Sequence, residues 1–142
     1  VPQNLIPFIT QTAAGIRKEL SVFGDDYPTS DGTAVRDYIH VVDLAKAHIA
    51  ALKRLINKTN KKSFEYFNIG TGKGSSVLEI INTFEKVNNV KLNYKIVGRR
   101  EGDVIAAFAD TTIANKELNW KTEISLEESL ISVWRWQQKQ SI

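Results

Sequence analysis

Apolar and polar positions along the chain follow two different periods, one typical of helices and one typical of strands. Apolar residues recur every three or four positions in four segments: residues 4–17, 43–56, 77–84 and 126–134. Apolar or alternating runs of strand length lie between them: residues 20–23, 35–41, 64–69 and 92–97. Strands and helices therefore alternate, which predicts an α/β fold, and we expect residues 1–142 to form a single domain.

Polar residues predict where the helices begin. Two capping boxes are predicted, Ser76 with Glu79 and Ser125 with Glu128. Single caps are predicted at Asn4, Asp43 and Asp110. The first helix should extend to about residue 17, and the helix after Asp110 should end near residue 118. Residues 24–33 contain three aspartates, one proline and two glycines, which predicts a loop.

Helical spacing also predicts which side chains share a face. On the second helix these are Ala45, Ile49, Leu52 and Ile56. On the third they are Val77, Ile80, Ile81 and Phe84, and on the last Leu126, Leu130, Val133 and Trp134. We expect these apolar faces to pack inward, because an amphipathic helix is stabilised by burying its apolar side.

Composition excludes several classes of protein. The 142 residues suffice for one domain with a hydrophobic core, and we expect neither a membrane span nor a signal peptide. The absence of cysteine excludes disulfide and thiolate chemistry and is compatible with a cytoplasmic location. A net charge of +3 is too small to predict a nucleic-acid partner, and the lysines near residue 60 lie in a polar, solvated loop. Two histidines are too few to predict a metal site.

The run VRDYIHVVD at residues 35–43 carries the densest polar chemistry of the chain. Its apolar residues alternate with Arg36, Tyr38 and His40, so a half-buried strand would present a guanidinium, a phenol and an imidazole on one surface. Few purely structural strands need all three groups. No partner for His40 is visible in the sequence, and we interpret it as a structural residue.

The loop GTGKG at residues 70–74 lies between a predicted strand and a predicted helix, as a dinucleotide-binding loop does. A G-x-G-x-x-G fingerprint would need glycine in place of Ser75. A Walker loop would need four residues between its glycines and a Gly-Lys-Ser/Thr ending, which is also absent. We therefore interpret this loop as a tight turn and not as a cofactor site.

Eight motifs in a fixed order carry a family resemblance: PQNLIP (2–7), LSVFG (20–24), DYPT (26–29), VRDYIHVVD (35–43), FNIGTG (67–72), RREGD (99–103), LNW (118–120) and WRWQ (134–137). Together they resemble the C-terminal, substrate-binding part of the UDP-glucose 4-epimerase family, within the extended short-chain dehydrogenases/reductases. Several long motifs in the right order are far more specific than any one of them.

The resemblance implies an isomerase of galactose metabolism, cytoplasmic and homodimeric, which interconverts UDP-glucose and UDP-galactose through a 4-keto intermediate with bound NAD. That chemistry needs a glycine-rich cofactor loop and a Tyr-x-x-x-Lys pair. None of the four tyrosines has lysine four residues on, and the chain begins with Val1 and contains no methionine. We therefore expect an excised fragment that lacks the N-terminal Rossmann cofactor domain, is inactive alone, and has no catalytic, metal-binding or cofactor-binding residues.

The resemblance assigns ten residues to a UDP-hexose site: Asn4, Leu5, Ser21, Val22, Phe23, Arg36, Tyr38, Arg100, Asp103 and Ala107. It implies that Arg36 and Arg100 hold the diphosphate, with Tyr38 beside them, because planar guanidinium groups bind such oxygens bidentately. It implies that Asp103 accepts hydrogen bonds from ribose hydroxyls. Residues 4–5 then begin the substrate-facing helix, and residues 21–23 line the uracil site.

The residues alone leave other roles open. The two arginines could pair on the surface with neighbouring Asp37 or Glu101. Tyr38 and Phe23 could be ordinary core residues, and Asp103 could be a turn aspartate.

Ala107 matches a position that is a bulky tyrosine in family members restricted to UDP-glucose and UDP-galactose. It is small in members that also accept N-acetylated sugars. The resemblance therefore implies that the parent enzyme also interconverts UDP-GlcNAc and UDP-GalNAc. Ile105 departs from the proline or alanine common in the family, which leaves the shape of this segment open.

Three other functions compete with this one. A related nucleotide-sugar dehydratase or uronate epimerase would share the fold, but the RREGD run and the complete VRDYIHVVD run disfavour it. A stand-alone UDP-sugar-binding module would bind ligand without chemistry. A nucleic-acid binder is the weakest alternative, and it would show a steep dependence of affinity on salt.

Overall fold

The computed structural model describes residues 4–140 and confirms an α/β fold. In chain order its elements are α1 (Leu5–Ala13), β1 (Leu20–Phe23), β2 (Val35–Arg36), α2 (Val41–Ile56), β3 (Ser75–Ser76), α3 (Val77–Asn88), β4 (Tyr94–Val97), β5 (Ala106–Ala107), α4 (Thr112–Leu118) and α5 (Leu126–Gln140). Pro2 and Gln3, which open the first matched motif, lie outside the described residues. No helix within residues 4–140 is both long enough and apolar enough to cross a bilayer.

Two small sheets organise the strands. β1 pairs with β4 in parallel, with Leu20 opposite Tyr94 and Phe23 opposite Val97. β2 lies between β3, to which it is antiparallel, and β5, to which it is parallel. In the second sheet Arg36 is directly opposite Ala107, so two residues 71 positions apart become neighbours.

The larger hydrophobic cluster joins α1, β1, α3 and α5. Its fully buried members include Ile9, Val22, Ile80, Phe84 and Leu130. The ring of Phe84 meets that of Trp134 edge to face, with centroids 5.8 Å apart, which is a favourable aromatic geometry. This cluster holds the beginning of α1 and the strand β1 beside α5, and these three elements form much of the wall of the functional cleft.

Several predictions that rest on local patterns are confirmed. β1 occupies the predicted residues, residues 24–33 contain no helix or strand, and α4 ends at the predicted Leu118. In the first capping box Ser76 Oγ accepts from Glu79 N at 3.0 Å, and the Glu79 carboxylate accepts from Ser76 N at 3.3 Å. The second capping box forms in the same way before α5.

The strand predicted over residues 35–41 is wrong beyond Arg36, and so is the cap predicted at Asp43. α2 begins at Val41, and the His40 ring is its cap, because Nδ1 accepts a hydrogen bond from Val42 N at 3.1 Å. Asp43 is fully buried in the first turn, where its Oδ2 accepts from Glu123 N and Ile124 N, each at 3.0 Å. The carboxylate therefore fixes a distant loop, which no local pattern could indicate.

Two further boundaries differ from prediction. α1 ends at Ala13 and not near residue 17, because Gly15 adopts a left-handed φ of 72° that stops the helix. Asn4 occupies the predicted N-cap position, but its side chain makes no capping hydrogen bond. At α4 the N-cap position is Thr111, while the predicted cap, Asp110, accepts from Thr112 N at 3.0 Å.

The apolar face predicted for α2 exists but is exposed. Ile49, Leu52 and Ile56 are each more than half exposed, whereas Ala47 and Arg54 on the other side are buried against α4.

The strand predicted over residues 64–69 also does not form within the described residues. There its side chains alternate between exposed and partly buried, as a strand's would, but no neighbouring strand supplies the backbone hydrogen bonds.

Arg54 joins three parts of the chain through an ion-pair network. Its guanidinium donates to Glu65 Oε2 at 2.7 Å and Oε1 at 2.9 Å, and to Glu117 Oε2 at 3.0 Å. The hydrogen bond from Arg54 is the main reason that the pKa of Glu65 falls from its ordinary 4.5 to about 2. The network thus links α2, the loop before residue 65, and α4.

We expect this network to make the fold acid-sensitive. Because the pKa of Glu65 is lower in the folded state, its carboxylate stabilises the fold above pH 4.5, and this contribution is lost as the pH falls toward 2. The Glu65→Gln chain should therefore lose less unfolding free energy over that range than the original chain, as measured by urea unfolding at a series of pH values. Glu101→Gln, at an exposed position, is the control; equal acid sensitivity of all three chains would contradict the prediction.

Candidate functional site

A cleft of about 1410 Å³ opens between α1, β1, β2 and α5. Nine of the ten residues predicted for the site line it: Asn4, Leu5, Ser21, Val22, Phe23, Arg36, Tyr38, Arg100 and Asp103. Ala107 does not line the cleft; it is exposed on β5, beside Arg36. Residues from four separate stretches of the chain thus meet at one cleft, whose volume is larger than that of most small-molecule sites.

Two guanidinium groups flank one carboxylate at this surface. Asp103 Oδ1 accepts a hydrogen bond from Arg100 at 2.8 Å and lies 3.7 Å from the Arg36 guanidinium. The Asp103 side chain is 15% exposed, that of Arg36 30% and that of Arg100 60%. The alternative pairing of these arginines with Asp37 or Glu101 is therefore wrong. Within this cluster two positive charges face one negative charge, so the three side chains together are net positive and suited to an anion.

The backbone holds Arg36 in place. One terminal nitrogen of its guanidinium donates to Val35 O and to Val104 O, each at 2.8 Å. The other terminal nitrogen is the one that faces Asp103. Because two carbonyl groups orient the guanidinium, part of its conformational entropy is already lost before any ligand binds.

Tyr38 lies on the wall of the cleft next to Arg36. Burial raises the pKa of its phenol to about 12, and the positive charge of Arg36 opposes that shift in part. The phenol is therefore protonated at neutral pH and is available as a hydrogen-bond donor to an anion. It is not poised to act as a base.

Arg99 and Arg100 are consecutive but serve different surfaces. Arg99 donates a hydrogen bond to Asp26 Oδ1 at 2.7 Å, and its guanidinium carbon lies 4.1 Å from the centroid of the Tyr27 ring. Arg99 therefore stabilises the loop 24–33. Arg100 faces the cleft, with its guanidinium 5.5 Å from the centroid of the Phe23 ring. The sequence RREGD does not distinguish the two arginines.

β1 presents backbone groups to the cleft. Leu20 N and Gly24 N donate toward β4, so the backbone groups of Ser21 and Phe23 point to the opposite edge, which pairs with no strand within residues 4–140. The Phe23 side chain is 42% exposed and is therefore not a core residue. The Val22 side chain, in contrast, is buried in the larger hydrophobic cluster.

Asp37 is a polar residue of this region that sequence reasoning did not identify. Its carboxylate accepts hydrogen bonds from Thr71 N at 2.9 Å, Gly72 N at 3.3 Å and Ala109 N at 3.2 Å. The signals that could have found it are its place directly after Arg36 and the glycine-rich loop with no evident ligand. His40 also lines the cleft, and its Nε2 is 3.0 Å from Ser132 Oγ.

The glycine-rich loop does not fit a dinucleotide. The amides of Thr71 and Gly72, which such a loop would offer to phosphate, already donate to the Asp37 carboxylate. Within the described part of the chain, no group of three or more His, Cys, Asp or Glu residues is placed to hold a metal ion. The Arg36–Asp103–Arg100 cluster can bind a charged ligand.

Comparison with known proteins gives the site a context. A family model described as GDP-mannose 4,6 dehydratase matches residues 1–132. Proteins named UDP-glucose 4-epimerase are similar to 98% of this chain at 50% identity in Mus musculus and to 96% at 49% identity in Bacillus subtilis. The chain spans 39% and 40% of the length of these two relatives, and it corresponds to their C-terminal portion.

Solved structures agree with these relatives. A UDP-glucose 4-epimerase from Stenotrophomonas maltophila, with bound NAD and formylated UDP-arabinopyranose, has a TM-score of 0.94 and 48% identity. One from Bifidobacterium longum, in complex with NAD+ and UDP, has a TM-score of 0.91 and 45% identity. Each match covers 99% of this chain and 41% of the other.

Proposed function

We propose that this chain, which belongs to the GDP-mannose 4,6 dehydratase family, forms the UDP-sugar-binding portion of a UDP-glucose 4-epimerase, because its relatives at about 50% identity carry that name. The observation that carries the proposal is the Arg36–Asp103–Arg100 cluster in the cleft, which has a net positive charge and suits a diphosphate. The parent enzyme would interconvert UDP-glucose and UDP-galactose. We also propose that it is cytoplasmic and homodimeric, and that it acts without nucleic acid or membrane.

Each end of the ligand has a complementary surface. Arg36 and Arg100 would bind the diphosphate, and the protonated Tyr38 would donate a hydrogen bond beside them. Asp103 would accept from ribose hydroxyls once the phosphates take its place beside the arginines. The uracil, a planar group with alternating donors and acceptors, would lie against β1, where the backbone of residues 21 and 23 faces the open edge.

Two further residues would close the ligand surface. Asn4 and Leu5 line the cleft at the beginning of α1, and the Asn4 amide is not used as a helix cap. It can therefore face the ligand. Val22 would contribute indirectly, by holding residues 21 and 23 in place, since its side chain belongs to the hydrophobic core and its backbone faces β4.

The redox part of the reaction would lie outside this chain. The described residues do not fit NAD, and no tyrosine of the sequence has the lysine partner that the base needs. We propose that NAD and the base belong to the part of the relatives that this chain does not match. The 142-residue chain is then expected to bind UDP-sugars without converting them.

Calorimetric titration of the 142-residue chain with UDP tests this function. We expect one UDP per chain, displacement by UDP-glucose, and no epimerisation when NAD and UDP-galactose are added. GDP is the control, because a dehydratase for GDP-sugars would prefer it. Failure of a folded chain to bind UDP, or a preference for GDP, would overturn the proposal.

We propose that the site also accepts N-acetylated sugars, because Ala107, although outside the cleft lining, is opposite Arg36 in the sheet, and its small side chain would not obstruct a bulkier sugar there. The Ala107→Tyr chain should bind UDP-GlcNAc roughly tenfold more weakly, since a phenol ring would compete with the acetamido group for space, while UDP-glucose affinity stays unchanged. The ratio of the two dissociation constants is the measurement. Ala106→Tyr is the matched control, because successive strand residues point to opposite faces. An unchanged ratio would exclude this role for Ala107.

A further inference from the structure

The glycine-rich loop at residues 70–74 encloses a carboxylate of the same chain. Asp37 Oδ1 accepts from Thr71 N at 2.9 Å and from Thr71 Oγ1 at 2.7 Å. Asp37 Oδ2 accepts from Gly72 N at 3.3 Å. Successive backbone amides of this kind form an anion-binding concavity, and here the anion is a side chain and not a phosphate. We call Asp37 with residues 70–72 the carboxylate clasp.

The shape of the loop depends on this contact. A Cβ added to Gly70 would lie 2.3 Å from Asp37 Oδ2 and 2.7 Å from the Cβ of Ala109. Gly72 adopts a left-handed φ of 72°, which aims its amide at the carboxylate. The glycines at both positions are therefore explained by the clasp.

The same carboxylate also reaches the segment that carries Asp103 and Ala107. Asp37 Oδ2 accepts from Ala109 N at 3.2 Å, at the end of that segment. The preceding residue, Arg36, donates to Val104 O at 2.8 Å, near its beginning. Pairing of β2 with β5 joins the middle. Residues 103–109 are thus held at both ends by two consecutive side chains.

We propose that Asp37 is a positioning residue: the carboxylate clasp sets the place of residues 103–109 relative to Arg36, and so the geometry of the diphosphate and sugar end of the cleft. This role rests on the proposed UDP-sugar site. The uracil end is built on β1, in the other sheet, and does not depend on the clasp.

Asparagine cannot replace Asp37 in this arrangement. The groups around its two oxygens are mostly backbone N–H donors, from Thr71, Gly72 and Ala109. An amide nitrogen on either side would face at least one of these donors, so a hydrogen bond would be exchanged for a repulsive contact. Residues 103–109 would then lose the hydrogen bond from Ala109 N, or residues 70–72 would move away from the side chain at position 37.

Three variants separate positioning from stability. Asp37→Asn and Thr71→Ala should weaken the clasp. Thr71→Ser keeps the hydroxyl group and should leave the clasp intact. Asp110→Asn is the control, because that exposed carboxylate accepts from Thr112 N and lies outside the clasp. We expect Asp37→Asn to lower UDP affinity about tenfold, while uracil affinity, followed by NMR titration, changes by less than about twofold, because uracil lies against β1 and does not reach residues 103–109. A merely structural role would lower both affinities together.

Hydrogen exchange needs no ligand and tests the clasp itself. Amides of residues 104–109 should exchange faster in Asp37→Asn and Thr71→Ala than in the original chain, Thr71→Ser or Asp110→Asn. If the original chain does not bind UDP, the proposed function fails, while the exchange rates still decide whether the clasp holds this segment. Unchanged exchange, or an unchanged ratio of UDP to uracil affinity in a chain that binds both, would overturn the proposal. If Asp37→Asn does not fold, the Thr71 pair gives the same two readouts.

Discussion

The Arg36→Ala chain is expected to bind UDP about a hundredfold more weakly than the original chain. A charge-assisted hydrogen bond contributes about 1.5–3 kcal/mol, so losing a bidentate contact costs roughly 3 kcal/mol, and every 1.4 kcal/mol is about tenfold in affinity. The Arg36 side chain is only 30% exposed and is oriented by two carbonyl groups, which limits solvent screening of its charge. The measurement is calorimetric titration with UDP at constant ionic strength.

Arg99→Ala is the matched control for this prediction. Arg99 is the neighbour of Arg100 but interacts with Asp26 and Tyr27 on the loop 24–33, so its removal should leave UDP affinity within about twofold. Arg100→Ala should fall between the two, because its side chain is 60% exposed and water screens its charge more strongly. Equal losses in all three chains would show that net charge, and not the geometry at Arg36, determines binding.

The second large effect is expected on stability. Phe84 is completely buried at the centre of the larger hydrophobic cluster and meets Trp134 edge to face. Phe84→Ala should lower the unfolding free energy by about 3–5 kcal/mol, because the cavity left by the ring cannot be filled by its neighbours. Domains of this size are stable by about 5–15 kcal/mol, so this change alone removes a large part of the total.

A second phenylalanine provides the control for Phe84. Phe64 is 75% exposed, and Phe64→Ala should change the unfolding free energy by less than about 0.5 kcal/mol. Urea unfolding followed by circular dichroism measures both chains under one set of conditions. A loss at Phe64 as large as that at Phe84 would mean that the exposed aromatic is buried in solution, for example by self-association.

Local patterns were sufficient for most of the helices. α3 and α5 begin at capping boxes whose two partners are three residues apart, so all the information lies within one turn of helix. The strands were less predictable, because a strand forms only when it pairs with another strand, and its own sequence does not specify which one. Residues 35–41 alternate as a strand should, yet pairing stops at Arg36 and the His40 ring begins a helix.

The candidate site was predicted through matched motifs, and the fold brings nine of its ten residues to one cleft. Composition and periodicity could not have selected them, because an arginine or aspartate in a loop has many possible partners. The pairing of Asp103 with both arginines joins residues 67 positions apart as well as neighbours in one turn. Asp37 was missed for the same reason, since three of its contacts lie 34 to 72 positions away.

The sequence by itself determined the α/β class, the beginnings of α3 and α5, the strand β1 and the motifs on which the proposed UDP-sugar site rests. Tertiary structure alone decided three other matters: that Arg100 and not Arg99 faces the cleft, that the apolar face of α2 is exposed, and that the glycine-rich loop encloses a carboxylate. The first group depends on hydrogen bonds and spacing within a few residues. The second group depends on contacts between residues that are far apart in the sequence, and these contacts form only when the chain folds.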